Sequence, residues 1–111
     1  MRLSEISSAL EMEEITDVAQ DSLEVKTGYV SDLLSDVMAN AEEGSLWITL
    51  QTHLNIIAVA TMRRVAGILI VNGRRPDEET VSRARAERVP IFITSLSAFE
   101  AAGRLYRLLH A

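Results

Sequence analysis

The chain has 111 residues, of which 48% are hydrophobic and 24% are charged, proportions typical of a single folded globular domain. A domain of this size buries roughly 65% of the surface that its unfolded chain exposes. The absence of cysteine excludes disulfides, thiolate metal sites and cysteine nucleophiles. The sequence has no run of eighteen apolar residues and no signal-peptide pattern, so we expect a cytoplasmic protein that does not span a membrane.

The net charge of −5 is unevenly distributed along the chain. Residues 1–60 carry eleven acidic and two basic residues, whereas residues 61–111 carry nine arginines and five acidic residues. Two halves of opposite sign would attract each other within the fold or across a dimer, although ordinary solvated faces also explain the pattern. The acidic total argues against nucleic acid as the main partner.

The N-terminal third predicts a short helix followed by an interrupted strand. Ser4 is a favoured N-cap, and the apolar residues after it recur at helical spacing. Residues 13–20 mix acidic and apolar residues and predict a short strand and a loop. Residues 23–30 alternate apolar with polar residues and predict a strand interrupted by Gly28.

Two apolar helices flank a buried strand in the middle of the chain. The first is expected to start at Ser31 or Asp32 and to end at Gly44, a residue suited to the left-handed C-terminal position. Leu46–Leu50 predicts a buried strand. The second helix, Leu54–Val65, is apolar over much of its circumference, so we expect it to be buried against the sheet and against a second subunit.

The C-terminal half continues the alternation of strands and helices. Residues 68–71 form an apolar run typical of a parallel strand that is covered on both faces. Pro76 suits the first turn of a helix, and residues 91–94 predict the last strand. Ser95 or Ser97 would cap the final helix. The expected buried stripe of that helix comprises Phe99, Ala102, Leu105, Tyr106 and Leu109.

This order of elements predicts a single α/β domain over residues 1–111. Alternating strands and helices with short connections imply right-handed crossovers and a mostly parallel sheet. We expect about four strands, with helices on both faces of the sheet.

Polar residues follow each predicted strand and identify a candidate site. The turns after parallel strands share the carboxyl edge of the sheet, where ligands usually bind. Helix N-termini also attract anions, so a small anionic or nucleotide-like ligand is the expected occupant. The candidate ligand-binding residues are Asp32, Gln51, Thr52, His53, Asn55, Asn72, Gly73, Arg74 and Thr94.

Other roles explain several of these residues individually. Asp32 and Thr52 are favoured helix caps, and Asn72-Gly73 is also a common tight turn. His53 is suited either to a ligand or to a hydrogen bond with the backbone. The chain lacks the phosphate-loop, dinucleotide-binding, nucleophile-elbow and zinc-protease motifs, so we predict a protein that is not an enzyme, with no metal site and an unidentified cofactor, if any.

Five segments carry a resemblance to a known family. These are GYVSDLLSDVMANA, WITLQTHLNIIAVA, GILIVNGRRPDEETVSRA, VPIFIT and SAFEAAGRL, and over about residues 22–108 they resemble the DRTGG domain. That domain occurs fused to CBS pairs and in phosphate acetyltransferases, and it is similar to the N-terminal domain of HPr kinase/phosphorylase. The resemblance implies an α/β fold, frequent dimerisation and a regulatory or ligand-sensing role. Similar stand-alone proteins imply a redox-enzyme partner of the hydrogenase type.

The signature of the family is altered in this chain. Its Asp-Arg pair falls on Thr52 and His53, and its Thr-Gly-Gly falls on Asn72, Gly73 and Arg74, so only Gly73 is retained. The phosphate-loop domain that carries kinase chemistry is absent.

Three hypotheses follow from the residues and the resemblance together. The first is a non-catalytic homodimeric regulatory domain that binds a small anionic ligand. The second is an assembly subunit without a ligand, whose partner surface includes an exposed Met62 or Trp47. The third is an enzyme that uses His53 as an acid or base.

Overall fold

Five helices and five strands make up the computed structural model, which describes residues 1–111. In chain order they are α1 (Leu3–Ala9), β1 (Glu13–Glu14), β2 (Thr27–Val30), α2 (Leu34–Asn40), β3 (Ser45–Thr49), α3 (Asn55–Arg63), β4 (Gly67–Ile70), α4 (Glu78–Glu87), β5 (Ile91–Ile93) and α5 (Ala98–Leu109). None of these helices combines the length and the apolar character needed to cross a membrane.

The five strands form one sheet with the order β1-β5-β4-β3-β2. Strands β2 to β5 are parallel and lie side by side in sequence order, while β1 pairs antiparallel with β5. Every residue of β3 and β4 is buried, as expected for parallel strands that are covered on both faces. The predicted mostly parallel α/β domain is confirmed, and the fifth strand is the short acidic β1.

The helices form one layer on each face of the sheet. Three consecutive right-handed crossovers in the same direction place α2, α3 and α4 together on one face, where their apolar residues form one core that includes Trp47. The opposite face is covered by α1 and α5, whose apolar residues pack against Leu46, Leu69 and Phe92. Helices on both faces are therefore confirmed.

Four helices begin at residues other than those predicted, and α3 differs least, because it starts at Asn55 instead of Leu54. Helix α1 begins at Leu3 rather than after a Ser4 cap, and Glu5 accepts a hydrogen bond from the Arg2 backbone N–H at 2.9 Å. Helix α2 begins at Leu34, and α4 begins at Glu78 with Asp77 as its N-cap. The predicted serine cap of α5 is Ser97, whose hydroxyl oxygen accepts a hydrogen bond from the Glu100 N–H at 3.2 Å.

Two predictions about exposed and buried apolar residues are wrong. Trp47 is fully buried, and its Nε1–H donates to the Ser31 carbonyl at 2.9 Å, so it cannot contribute to a partner surface. Helix α5 exposes Phe99 and Tyr106, which were expected in its buried stripe, whereas Leu105 is buried as expected, together with Ala101. A Cβ atom at Gly28 of β2 would lie only 2.7 Å from Leu105 Cδ2, which shows how closely α5 approaches the sheet.

A hydrogen-bond network joins the edge strand β2 to helix α2. The Tyr29 hydroxyl donates to Asp36 Oδ2 at 2.8 Å, and the Asn40 amide donates to Asp36 Oδ1 at 2.9 Å. Hydrogen bonds from Tyr29, Ser31 and Asn40 lower the pKa of the Asp36 carboxyl below its ordinary value. The same bond to Asp36, together with desolvation and the negative charge of Asp36, raises the pKa of the Tyr29 hydroxyl.

The variant Tyr29→Phe is expected to be less stable than the wild type at neutral pH, because ionised Asp36 loses its hydroxyl donor. A carboxyl with a lowered folded-state pKa stabilises the fold above its unfolded-state pKa, and this contribution is lost as the pH falls through the folded-state value. The stability difference between the two proteins should therefore shrink below the ordinary Asp pKa of 3.8.

Urea unfolding of both proteins between pH 7 and pH 2 measures this difference. Tyr106→Phe serves as the control, because it removes a hydroxyl from an exposed ring. A Tyr29→Phe difference that stays constant down to pH 2 would contradict the assigned role of Asp36.

Candidate functional site

The carboxyl ends of β2, β3 and β4 meet around a shallow depression of about 250 Å³. Because these strands are neighbours in the sheet, their following turns lie next to one another along one edge. Five of the nine predicted site residues line this depression. Its lining consists of Asp32, Leu50, Gln51, Thr52, His53 and Arg74.

Asp32 connects the turn after β2 to the end of β3. Its Oδ1 accepts a hydrogen bond from the Thr49 hydroxyl at 2.8 Å and another from the Leu50 backbone N–H at 2.7 Å. The Asp32 carbonyl accepts a third bond from the Gln51 side-chain amide at 2.8 Å. Asp32 therefore shapes the wall of the depression by holding two turns together.

Thr52 connects the turn after β3 to the start of α4. Its carbonyl oxygen accepts hydrogen bonds from the Asp77 N–H at 3.2 Å and from the Thr80 hydroxyl at 2.9 Å. The Thr80 side chain is buried, so this contact is protected from water. The turn Gln51–His53 is thus anchored to α4 through the Thr52 carbonyl.

His53 pairs with Asp77 at the rim of the depression. The distance from His53 Nδ1 to Asp77 Oδ2 is 2.9 Å, and an ionised carboxylate only accepts hydrogen bonds, so Nδ1 carries the proton. The Nε2 atom is then the ring nitrogen left for a ligand. Both side chains are more than half exposed, at 69% and 54%, so the pair itself contributes only about 0–1 kcal/mol to stability.

The turn after β4 presents Arg74 to the depression. Asn72 and Gly73 both have positive φ angles, of 59° and 67°, and the Arg74 N–H donates to the Val71 carbonyl at 3.2 Å, which is the pattern of a type I′ turn. Only residues that tolerate the left-handed region suit these two positions. The guanidinium of Arg74 makes no hydrogen bond or ion pair within the chain, and Arg74 is the one cationic residue in the lining.

Four of the predicted site residues lie outside the depression. Asn72 and Gly73 form the turn that positions Arg74, and Asn55 lines a separate groove between α3 and α4. Thr94 is buried and directed away from this edge, because its hydroxyl donates to the Leu10 carbonyl at 2.9 Å. Thr94 follows β5, and the strands β4 and β3 lie between β5 and β2, the strand that precedes Asp32.

Asp77 is the residue of this region that the sequence did not identify as part of the site. Its position in the acidic start of a helix indicated only an interaction with the helix dipole. Asp77 lies 24 positions from His53 in the chain, so no local sequence pattern indicates that the two side chains meet. The spacing of β3 and β4 in the sheet brings the two residues together.

The depression is an open surface with few free polar groups. The depression contains an aspartate whose carboxylate is engaged in internal hydrogen bonds, an imidazole paired with Asp77, and a free guanidinium. No group of three or more His, Cys, Asp or Glu side chains is placed to hold a metal ion. A guanidinium beside rigid polar turns suits the recognition of a carboxylate or phosphate.

Replacing Asp32 with alanine is expected to destabilise the domain by about 1–3 kcal/mol, because the Thr49 hydroxyl and the Leu50 N–H lose their acceptor. Asp32→Asn keeps an oxygen at the same position and should recover part of this loss. Urea unfolding of the two variants measures the effect. Equal stability of Asp32→Ala and the wild type would show that the carboxylate does not hold the two turns together.

Comparisons with known proteins agree with this architecture. The structure is similar to the CBS and DRTGG domains of the regulatory region of a Clostridium perfringens pyrophosphatase, solved in complex with the activator diadenosine tetraphosphate. The match has a TM-score of 0.71 and 20% sequence identity, and it covers 94% of this chain and 45% of that chain. This chain thus spans less than half of that solved structure. No curated protein matches the sequence.

The sequence also matches the family model described as the DRTGG domain over residues 5–108, which is nearly its whole length. The resemblance noted in the sequence is thereby confirmed and extends further toward the N-terminus than residue 22. The chain belongs to the DRTGG domain family.

Proposed function

We propose that this domain is a non-catalytic regulatory module that forms a homodimer and binds a small anionic, nucleotide-like ligand at the carboxyl edge of the sheet. The observation that carries the ligand proposal is the depression formed by three successive strand ends, in which Arg74 has a guanidinium without an internal partner. The binding residues are Gln51, His53 and Arg74, with Asp32 and Thr52 shaping the site.

The electrostatics of the depression support an anion. The Asp32 carboxylate is already shared between two internal donors, which reduces its repulsion of a bound anion. Arg74 supplies up to five N–H donors in a planar arrangement that matches a phosphate or carboxylate group. The N-termini of α3 and α4 follow the two turns that carry His53 and Arg74, and their dipoles favour negative charge nearby.

The structural relative supports a regulatory role of this kind. It is the regulatory region of an enzyme, and its structure contains a nucleotide activator. At 20% identity the similarity concerns the fold, so the ligand of this chain requires a direct measurement. The change of the family signature at residues 52, 53, 72 and 74 means that ligand preference is expected to differ among members of the family.

The variant Arg74→Gln is expected to weaken binding of a phosphorylated ligand by about 10–100-fold, because a hydrogen bond to a charged group contributes about 1.5–3 kcal/mol. Isothermal titration calorimetry with diadenosine tetraphosphate, ATP and AMP measures the affinity of the wild type and the variant. Since the depression is open, the affinity of the wild type should also fall as salt is raised.

Arg88→Gln is the matched control, because Arg88 is an exposed arginine that lies at the end of α4 away from the depression. Its affinity should equal that of the wild type. Equal loss of affinity in both variants would indicate a non-specific charge effect. A wild-type protein that binds none of the three nucleotides at millimolar concentration would overturn the ligand proposal.

The alternative is a protein-interaction or assembly subunit without a ligand, as in a redox system of the hydrogenase type. A groove of about 600 Å³ between α3 and α4 favours it, because Leu54 and Met62 lie exposed along its wall. Met62 is 68% exposed, which leaves its side chain accessible to a partner. This alternative would be favoured if none of the three nucleotides bound and if the protein formed a stable complex in cells that depended on Met62.

A further inference from the structure

The outward side of α5 carries an unusual set of exposed residues. Phe99 is 89% exposed and Tyr106 is 66% exposed, and the two are seven residues, or about two helical turns, apart. Gly103 lies between them at the centre of this side. We define the α5 outer face as Phe99, Glu100, Gly103, Tyr106, Arg107 and His110, all of which are exposed.

No contact within the chain accounts for Gly103. A Cβ atom at this position would meet nothing within 4 Å, so the domain has room for a larger residue there. Glycine destabilises a helix interior relative to alanine, and here it occupies the middle of a twelve-residue helix. A glycine on an open helix surface is explained when another helix approaches closely at that point.

An apolar groove lies directly beside this face. It has a volume of about 420 Å³ and runs between α5 and the edge strand β2. Its walls include Val30, Ala102, Tyr106 and Leu109, and Val30 is itself half exposed. The Tyr106 ring is held by stacking on the His110 ring, with centroids 4.1 Å apart, so one wall of the groove is preorganised.

The α5 outer face is complementary to itself when two copies are antiparallel. A two-fold axis at Gly103 puts the two glycines in contact, and it places Phe99 of each copy opposite Tyr106 of the other. On the other side of Gly103, it places Glu100 of each copy opposite Arg107 of the other. Residue size and charge are therefore matched in the same register, which an unrelated helix would match only by chance.

We infer that the α5 outer face is the homodimer interface of this protein, with its two-fold axis at Gly103. Phe99 of each copy enters the groove between β2 and α5 of the other copy. The inference rests on the homodimer in the proposed function and names its surface. It places the interface on the opposite side of the sheet from α3, the helix that the sequence suggested.

Single-cysteine variants test the register, because the native chain has no cysteine. Glu100→Cys and Arg107→Cys are expected to form a disulfide-linked heterodimer when mixed under mild oxidation, because these positions face each other between copies. Each variant alone should cross-link to itself at least about tenfold less. The two copies of one position lie on opposite sides of the two-fold axis, so their Cα atoms are further apart than the ~4.4–6.8 Å that a disulfide allows. The matched control is a mixture of Leu54→Cys and Met62→Cys on α3.

The α5 interface would be overturned if the α3 pair cross-linked efficiently. It would also be overturned if neither pair cross-linked. Sedimentation of the wild type separates this result from failure of the proposed function. A wild-type dimer without the cross-link between positions 100 and 107 rejects only the surface, whereas a wild-type monomer at tens of micromolar removes the homodimer as well. Nucleotide binding is measured independently in both cases.

Gly103→Leu provides a second measurement that does not depend on cysteine chemistry. Leucine fits the open space at this position and is a better helix former, so the thermal stability of the monomer should not fall. The dimer dissociation constant should nevertheless rise by at least about tenfold, because the two helices can no longer meet at residue 103. An unchanged dissociation constant would contradict the crossing at Gly103.

Discussion

The burial of β3 and β4 on both faces is the constraint on which the rest of this structure depends. All nine residues of these two strands are buried, so the sheet requires a helical layer on each side. The parallel strands follow one another in sequence order, and right-handed crossovers then place α2, α3 and α4 on the same face. The remaining face can be covered only by the helices outside these crossovers, α1 and α5.

This arrangement determines the positions of the depression around Arg74 and of the α5 outer face. The in-order sheet brings the turns after β2, β3 and β4 together at one edge, which produces the depression around Arg74. It also sends α5 beneath the sheet to the edge strand β2, where Gly28 allows close contact with Leu105. The aromatic residues of α5 consequently remain outside the core, next to the groove.

Some polar residues at the carboxyl edge make hydrogen bonds within the domain, and others have no partner within the chain. Asp32, Thr52 and Thr94 each engage in hydrogen bonds between different turns or helices, and these contacts make the edge rigid. Arg74 and the Nε2 atom of His53 have no partner within the chain, while Asp77 orients the imidazole ring. A rigid edge with few free donors is consistent with binding, because preorganised groups lose little entropy when a ligand arrives.

The sequence by itself determined the elements, the parallel sheet and the family, because strand burial, helix periodicity and turn residues are local patterns. Within the candidate site it identified His53 and Arg74, since polar residues that follow parallel strands must share an edge. Only the tertiary structure decided that Asp32 and Thr94 are consumed by internal contacts and that Asp77 orients His53, because these partners lie 17 to 84 positions apart in the chain. It likewise decided which side of α5 is buried: periodicity placed Phe99 and Tyr106 in the core together with Leu105, whereas the close approach of α5 to Gly28 buries Leu105 with Ala101 and leaves both aromatic residues exposed.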